Sequence, residues 1–334
     1  MIVTPNRKLF AVIAAVILLL GLVPVFADTY FLKLFTRILI LAIFAMSLDL
    51  LIGYTGLVSF GHAAFFGLAA YMLHLVSPEY DAANALWALP VCVLAAGVAA
   101  AAIGSLSVRT KGIYFIMVTL AFAQMMFYLF HDSKFAGGSD GAFIYVKPVV
   151  ALFGVTLLDM GDRVVFYYLS LGFLAVTYLL LLMVLRSPFG QVIQGIKVNE
   201  QRMLALGYNT YIYKLVSFVI AGMFAGLAGF LFAAIDGFVA PQLLSWSESG
   251  VAMMIVILGG MGTLFGPILG AVGYVGLEEV LKSHGLVGFV ADYWQIPMGL
   301  FVIAVVLFLP SGLGGAVARL VAPARVVKSE DEDD

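Results

Sequence analysis

Charge is what this sequence has least of. Only 11% of its 334 residues are charged, against 63% that are hydrophobic, far from the shares usual in soluble domains. A soluble chain of this size needs a charged surface to stay dispersed, whereas lipid accepts an apolar exterior and penalises every exposed backbone group. The shortage therefore excludes an ordinary soluble domain and predicts an all-α integral membrane protein. Neither sign of charge is in excess, the net value being −2, so no basic field argues for nucleic acid or a strongly anionic partner. Cysteine is nearly absent. Cys92 stands alone in an apolar run, which excludes an internal disulfide or a cysteine metal cluster and leaves a packing role. The four histidines, His62, His74, His131 and His284, are far apart and have no metal-binding spacing, so no metal centre is predicted. The dipeptide Gly-Lys is missing altogether, and Gly137-Gly138-Ser139-Asp140-Gly141 lacks the lysine of a phosphate-wrapping loop. If ATP drives this protein, another chain binds it. No grouping of acid, base and nucleophile is visible either, so no enzyme is predicted.

What the chain does have is apolar runs of spanning length. They lie at 9–27, 32–52, 57–76, 86–107, 112–131, 164–185, 214–234, 249–262, 266–281 and 292–309, giving about ten transmembrane helices in a single transmembrane domain over 1–334. The first run, after Arg7-Lys8, is long enough to span; a signal peptide cleaved after Val25-Phe26-Ala27 is the alternative. The runs near 249–281 are short and separated by glycines, so half-helices or one broken helix are also open. Basic residues set the orientation, because short loops rich in Lys and Arg stay inside. Arg7, Lys8, Arg109, Lys111, Arg186, Lys197, Arg202, Lys214, Arg319, Arg325 and Lys328 then all fall on the cytoplasmic side, with both termini. Lys134, Lys147 and Arg163 fall outside, in a loop that also carries Asp140, Asp159 and Asp162. The tail at 326–334 ends in an acidic, solvated stretch.

The hydrophilic stretch 186–213 reads as two short helices on the cytoplasmic face. Ser187 can cap, Pro188 can take the first helical position, and Gly207 suits an end. Val192, Ile193 and Ile196 share one face, with Met203, Leu204 and Leu206 as a second apolar surface. Two segments are broken by glycine, Gly53-Tyr54-Thr55-Gly56-Leu57-Val58-Ser59-Phe60-Gly61-His62 and Gly259-Gly260-Met261-Gly262-Thr263-Leu264-Phe265-Gly266-Pro267. A break inside a membrane exposes backbone groups and is tolerated where it lines a cavity or is buried in protein; tight turns at the surface are the other reading. Asp49, Ser59, His62 and Gln124 are polar residues within apolar runs and so candidates for a pathway. For Asp49 and His62 the alternative is solvation or pairing across the break. Glu278 and Glu279 are read as solvated at an interface. Gly222 with Gly226, Ala225 with Gly229, and Gly266 with Gly270 have the spacing that lets two helices approach, read as internal packing.

Several of these residues carry a resemblance. The segment from Ser47 to Gly67 resembles the Leu-x-Gly-Tyr-x-Gly…Ser-x-Gly-His segment of the LivM-like membrane subunits of branched-chain amino-acid ABC importers. Gly137 to Gly141 is similar to that family's external Gly-Gly-x-Asp-Gly loop, and Gly259 to Thr263 with Gly266-Pro267 to its late glycine motif. Lys197 stands where the family commonly has arginine, and Asp49 where it commonly has asparagine. The resemblance implies a permease subunit in a bacterial cytoplasmic (inner) membrane, importing branched-chain or other hydrophobic amino acids by alternating access. It further implies a second homologous permease, two ATP-binding subunits carrying ATP and Mg, and an external substrate-binding protein, with lipid around the chain. Pathway residues would be Asp49, Gly53, Tyr54, Gly56, Ser59, His62, Gly260, Gly262 and Thr263. The loop 186–213 would dock on an ATPase through Gly190, Lys197, Asn199, Glu200, Ala205 and Gly207. Urea or another small amide or carboxylate is a variant cargo on the same scaffold. The reading from a different class is a self-sufficient secondary transporter, coupled to an ion or proton at Asp49, His62 or Glu278.

Overall fold

A computed structural model describes residues 21, 23–24, 28–78, 81–152, 155–283, 288–309 and 311–315. The predicted run 9–27 apart from residues 21 and 23–24, its cleavage alternative, His284 and the tail at 326–334 lie outside the described residues. Among the described residues six segments are long and apolar enough to cross a membrane: Thr29–Thr55, Ala85–Ser107, Ile113–His131, Arg163–Arg186, Thr210–Asp236 and Gln295–Gly315. They correspond to the predicted runs 32–52, 86–107, 112–131, 164–185, 214–234 and 292–309. The remaining three runs fold as shorter helices, His62–Val76, Trp246–Gly259 and Gly266–Lys282. Among the described residues the predicted runs are thus six long helices and three short ones, and the count of about ten full spans is not confirmed. The reason is local: glycine breaks shorten the helices beside them, and the 14 residues of Trp246–Gly259 reach about 21 Å, less than a hydrocarbon core of about 30 Å.

In chain order the helices are α1 (Thr29–Asp49, continued by a wider π turn Leu50–Thr55), α2 (His62–Val76), α3 (Ala85–Ser107) and α4 (Ile113–His131). After a loop come α5 (Arg163–Arg186), α6 (Pro188–Val198), α7 (Glu200–Ala205) and α8 (Thr210–Asp236). The last are α9 (Trp246–Gly259), α10 (Gly266–Lys282) and α11 (Gln295–Phe308). Helix α1 is apolar around its middle, from Ile38 to Met46, and is the central one, packed against α5, α8, α9 and α10, as a segment without a polar face must be. By contrast α3 and α4 leave Leu94, Val98, Met117 and Met125 exposed, a surface suited to lipid. Close packing among the helices rests on small residues rather than on apolar area, since lipid tails compete for the latter. Gly222 and Gly226 of α8 meet Ala100 and Ala96 of α3, and a side chain on Gly229 would collide with the backbone of Phe66 in α2. Cys92 is buried in α3.

The fold is all-helical as expected, and its loops add two small antiparallel ladders at one end of the bundle. There β1 (Ala142–Phe143) pairs with β4 (Phe238–Val239), while β2 (Val149–Leu152) pairs with β3 (Val155–Asp159) through an irregularity at Val150/Ala151. Both lie between or just beyond spans, where loop backbone needs hydrogen-bond partners that no helix supplies. Gly141 has a φ of 77° and its Cα faces the Val239 carbonyl, so the glycine-rich loop is what lets β1 reach β4. At the opposite end, Lys111 pairs with Glu200 at 3.1 Å and Arg109 stacks on Tyr211, bringing the α3–α4 turn beside α7 and the start of α8.

Candidate translocation and coupling site

The first glycine break begins where α1 loosens. Its π turn is closed by Thr55, whose hydroxyl donates to the Leu50 carbonyl, and ends at Gly56 in the left-handed region (φ 79°), which glycine adopts without cost. The chain then runs back into the bundle without helix as far as His62. This stretch is no surface turn: Ser59 is buried and accepts the Gly61 N–H, and a side chain on Gly61 would sit 2.6 Å from the Thr119 carbonyl of α4. The start of α2 is satisfied across the bundle, where Ala63 N–H donates to Ser249 of α9 at 2.8 Å. His62 is buried, stacked on Phe44, with Nε2 2.7 Å from the Ser47 hydroxyl. Ser47 spends its single proton on the Phe44 carbonyl, so Nε2–H donates to it and Nδ1 is left as a bare acceptor. Nδ1 indeed has no hydrogen-bond partner among the described residues.

The second break is the turn of an antiparallel hairpin made by α9 and α10. Gly260 (φ 104°) and Gly262 (φ 75°) shape it, and the Thr263 hydroxyl closes it by donating to the Gly260 carbonyl. The two breaks meet. Asp49 is fully buried, and its Oδ1 accepts the Gly262 N–H at 2.8 Å while Oδ2 has no hydrogen-bond partner among the described residues. Gly53 fits in the remaining space, since a Cβ there would lie 2.5 Å from the Gly262 nitrogen and clash with Asp49 as well. Of the predicted pathway residues the structure therefore gathers Asp49, Gly53, Gly260, Gly262 and Thr263, with Tyr54 half-buried beside them. Ser59 and His62 sit together elsewhere in the bundle. Gln124 is apart from both, half-buried on α4 and lining a cavity with Tyr128 and Ser133.

A third element reaches this junction. Ser187 caps α6 by accepting Gly190 N–H, Pro188 opens it, and Asn199 caps α7 by accepting Arg202 N–H. Gly190 lies against the backbone of Val184 and Leu185. The face of Val192, Ile193 and Ile196 is buried as its spacing predicts. Lys197, on the last turn of α6, donates from Nζ to the Gly53 carbonyl at 2.5 Å, and its stem covers Gly56. Its charge also reaches Asp49. Glu200 likewise turns inward, bonding Lys214 at 2.7 Å, Thr210 at 3.1 Å and Lys111. Lys197 and Glu200, predicted to face a docked subunit, are thus engaged within this chain. The members of that set left exposed are Lys197 itself, despite its bond to Gly53, with Asn199, Ala205 and Gly207, the last in the left-handed region with open space around it. Met203 packs on Gly195, whereas Leu204 and Leu206 stay exposed.

Partial burial works against the Glu200 carboxylate, but the hydrogen bonds and charges of Lys214 and Lys111, with Thr210, outweigh it and hold its pKa below the ordinary 4.5. A carboxylate depressed on folding contributes stability above its unfolded pKa and loses it as pH falls through the folded value. Acidification below about pH 4.5 is therefore expected to loosen α7 from α8. The melting temperature of the wild type should fall more steeply than that of Glu200→Gln over that range; parallel curves would show that this carboxylate does not set the loop's acid sensitivity.

One charged group is placed otherwise than the sequence suggests. Glu278 is only 5% exposed, not solvated as expected, and is paired with Lys282 at 2.5 Å and Arg37 at 3.6 Å. Lys282 in turn lies over the Trp294 ring, 4.3 Å from its centre. Burial became possible because α1 supplies a cation where the apolar run 32–52 was counted only for length. Arg37 inside that run was the available signal. Glu279 accepts from the Tyr30 hydroxyl.

Comparison with known proteins identifies the family. Residues 30–309 match the model of a family described as branched-chain amino acid transport system / permease component. The chain is 30% identical over 332 residues to the high-affinity branched-chain amino acid transport system permease protein LivM of Escherichia coli (strain K12), covering 93% of this chain and 75% of that one. LivM of Salmonella typhimurium is 30% identical over 299 residues, 83% of this chain and 68% of its own. A shorter likeness, 35% over 91 residues, joins 26% of the chain to 27% of the autoinducer 2 import system permease protein LsrC of Photorhabdus laumondii. No solved structure matches. With a matched core that takes in both glycine breaks and the capped loop between α5 and α8, this multi-pass membrane protein belongs to the family of branched-chain amino acid transport system permease components.

Proposed function

We propose that the chain is one permease subunit of an ATP-driven importer for branched-chain or other hydrophobic amino acids, working by alternating access with a second, homologous permease. ATP and Mg are held by two partner ATPases, and an external binding protein delivers cargo. The observation that carries the ATPase part is the surface of the capped loop. Val198 and Leu206 are 87% and 66% exposed, at the ends of α6 and α7, although the same loop buries Val192, Ile193 and Ile196. Exposed apolar side chains on a rigid, capped pair of helices, clear of the lipid-facing helices, suit a protein partner. Closure of that partner would move α6, and Lys197 would carry the movement to Gly53, Asp49 and Gly262. The cargo is proposed on the likeness to LivM over nearly the whole chain; urea or another small amide or carboxylate is the variant to test.

Val198→Glu with Leu206→Asp should lower recovery of ATPases with the chain and ATP-driven uptake of leucine by at least about tenfold, the cost of about 1.4 kcal/mol at a docking surface. The melting temperature should stay unchanged, because neither side chain is packed. Normal uptake by the double variant would remove the docking role from this loop. Uptake lost together with ATPase recovery, by contrast, has no explanation in an ion-coupled carrier.

A further inference from the structure

The end of the bundle away from the α6–α7 loop holds a polar site that the transport reading does not use. The start of α1, the start of α5, the last turn of α8 and the loop before β2 converge there on a cavity of about 80 Å³. Three cations line it, Lys33, Lys147 and Arg163, with Thr36 and apolar side chains such as Phe166 and Ile235, and no acid. Like charges around one small, partly enclosed space repel, and more strongly than in bulk water because the surroundings are less polar.

Little within the chain offsets that repulsion. Lys33 is paired with Asp236 at 2.8 Å. Lys147 and Arg163 have no ion pair or hydrogen bond among the described residues. The acids beside them are turned to backbone instead: Asp159 accepts the Gly161 N–H at 2.7 Å, and Asp162 caps α5 through the Val164 N–H at 2.8 Å. Burial, then the charges of Arg163 and Lys33, push the pKa of Lys147 below its ordinary value, with Asp236 and Asp159 acting weakly the other way. Cations brought together at such a cost are those of an anion site whose ligand is the missing partner. The number of cations narrows the ligand. A carboxylate offers two oxygens, while a phosphate group offers enough for each of three cations to meet its own.

We propose that this cavity binds a phosphate group, held by Lys147 and Arg163 with Lys33 as the third cation, whether the phosphate is free or the headgroup of a phospholipid. The span ends around it and the apolar part of its lining suit either source. The site lies at the far end of the bundle from the coupling loop, so it stands or falls independently of the transport reading.

The test uses the purified full chain, stripped of lipid in an uncharged detergent. Its thermal unfolding would be followed with inorganic phosphate against chloride at equal ionic strength, then in the same uncharged detergent with and without added phosphatidylglycerol. The wild type is expected to melt a few degrees higher with one of the two probes, and the double variant Lys147→Gln, Arg163→Gln to lose that shift. Without any probe the variant should melt at or above the wild type, because repulsion is relieved; a purely structural pair of cations would give the opposite. A response to inorganic phosphate identifies a free anion, and a response to phosphatidylglycerol alone a lipid headgroup. No shift with either probe, or equal shifts in wild type and variant, would overturn the site.

Discussion

Gly53→Ala is expected to abolish transport while the chain still inserts. An added Cβ would lie 2.5 Å from the backbone nitrogen of Gly262 and would also strike Asp49. Asp49 can rotate away, but the hairpin turn of Gly260 and Gly262 cannot, because it is itself packed against the backbone of Ser311 and Gly312. The breaks must therefore separate, which overpacking measurements place at about 1–3 kcal/mol. Separation also carries the Gly53 carbonyl away from Lys197. Uptake of leucine by the complete importer should fall by more than about tenfold, a loss of about 1.4 kcal/mol in the coupled step. Gly172→Ala is the control: it sits in α5 with open space around it, and alanine favours helix by up to about 1 kcal/mol. Normal uptake by Gly53→Ala would mean that the two breaks need not touch during the transport cycle.

The second large effect is expected at Asp49, where the charge and the hydrogen bond can be separated. Asp49→Asn keeps an acceptor for the Gly262 N–H and removes the charge near Lys197. Asp49→Leu fills a similar volume but leaves that N–H buried and unpaired, a cost of about 1–3 kcal/mol. If the carboxyl serves to hold the hairpin turn, asparagine should support uptake within about threefold of the wild type and leucine should lose at least about tenfold. Equal losses in both variants would assign the role to the charge acting with Lys197. Melting curves of the two variants separate misfolding from failed coupling.

These two positions also mark how far the sequence could be followed. Asp49, Gly53, Gly260, Gly262 and Thr263 were each legible as polar or glycine residues where an apolar run should have none, and local chemistry is enough to single them out. That the two breaks are one junction was not legible. Residues 49 and 262 are far apart in the chain, and only the packing of α1 against the α9–α10 hairpin brings them within a hydrogen bond. Lys197 shows the same limit. A basic residue on a cytoplasmic loop reads as solvated or as partner-facing, and only the course of α6 beneath the π turn directs it to Gly53. Burial of Glu278 depended likewise on a cation from another helix.

The sequence by itself determined the membrane environment, the helical class, the cap at Ser187, and the places where helices break, because each follows from hydrogen bonds and solvation within a few residues. It also determined the family, through motifs that are continuous in the chain. Tertiary structure alone decided which apolar runs become full spans, which charges are buried as pairs, and where Lys33, Lys147 and Arg163 meet. Those outcomes depend on distances between helices, and small residues such as Gly222, Gly226 and Gly229 set these distances by how closely two backbones approach.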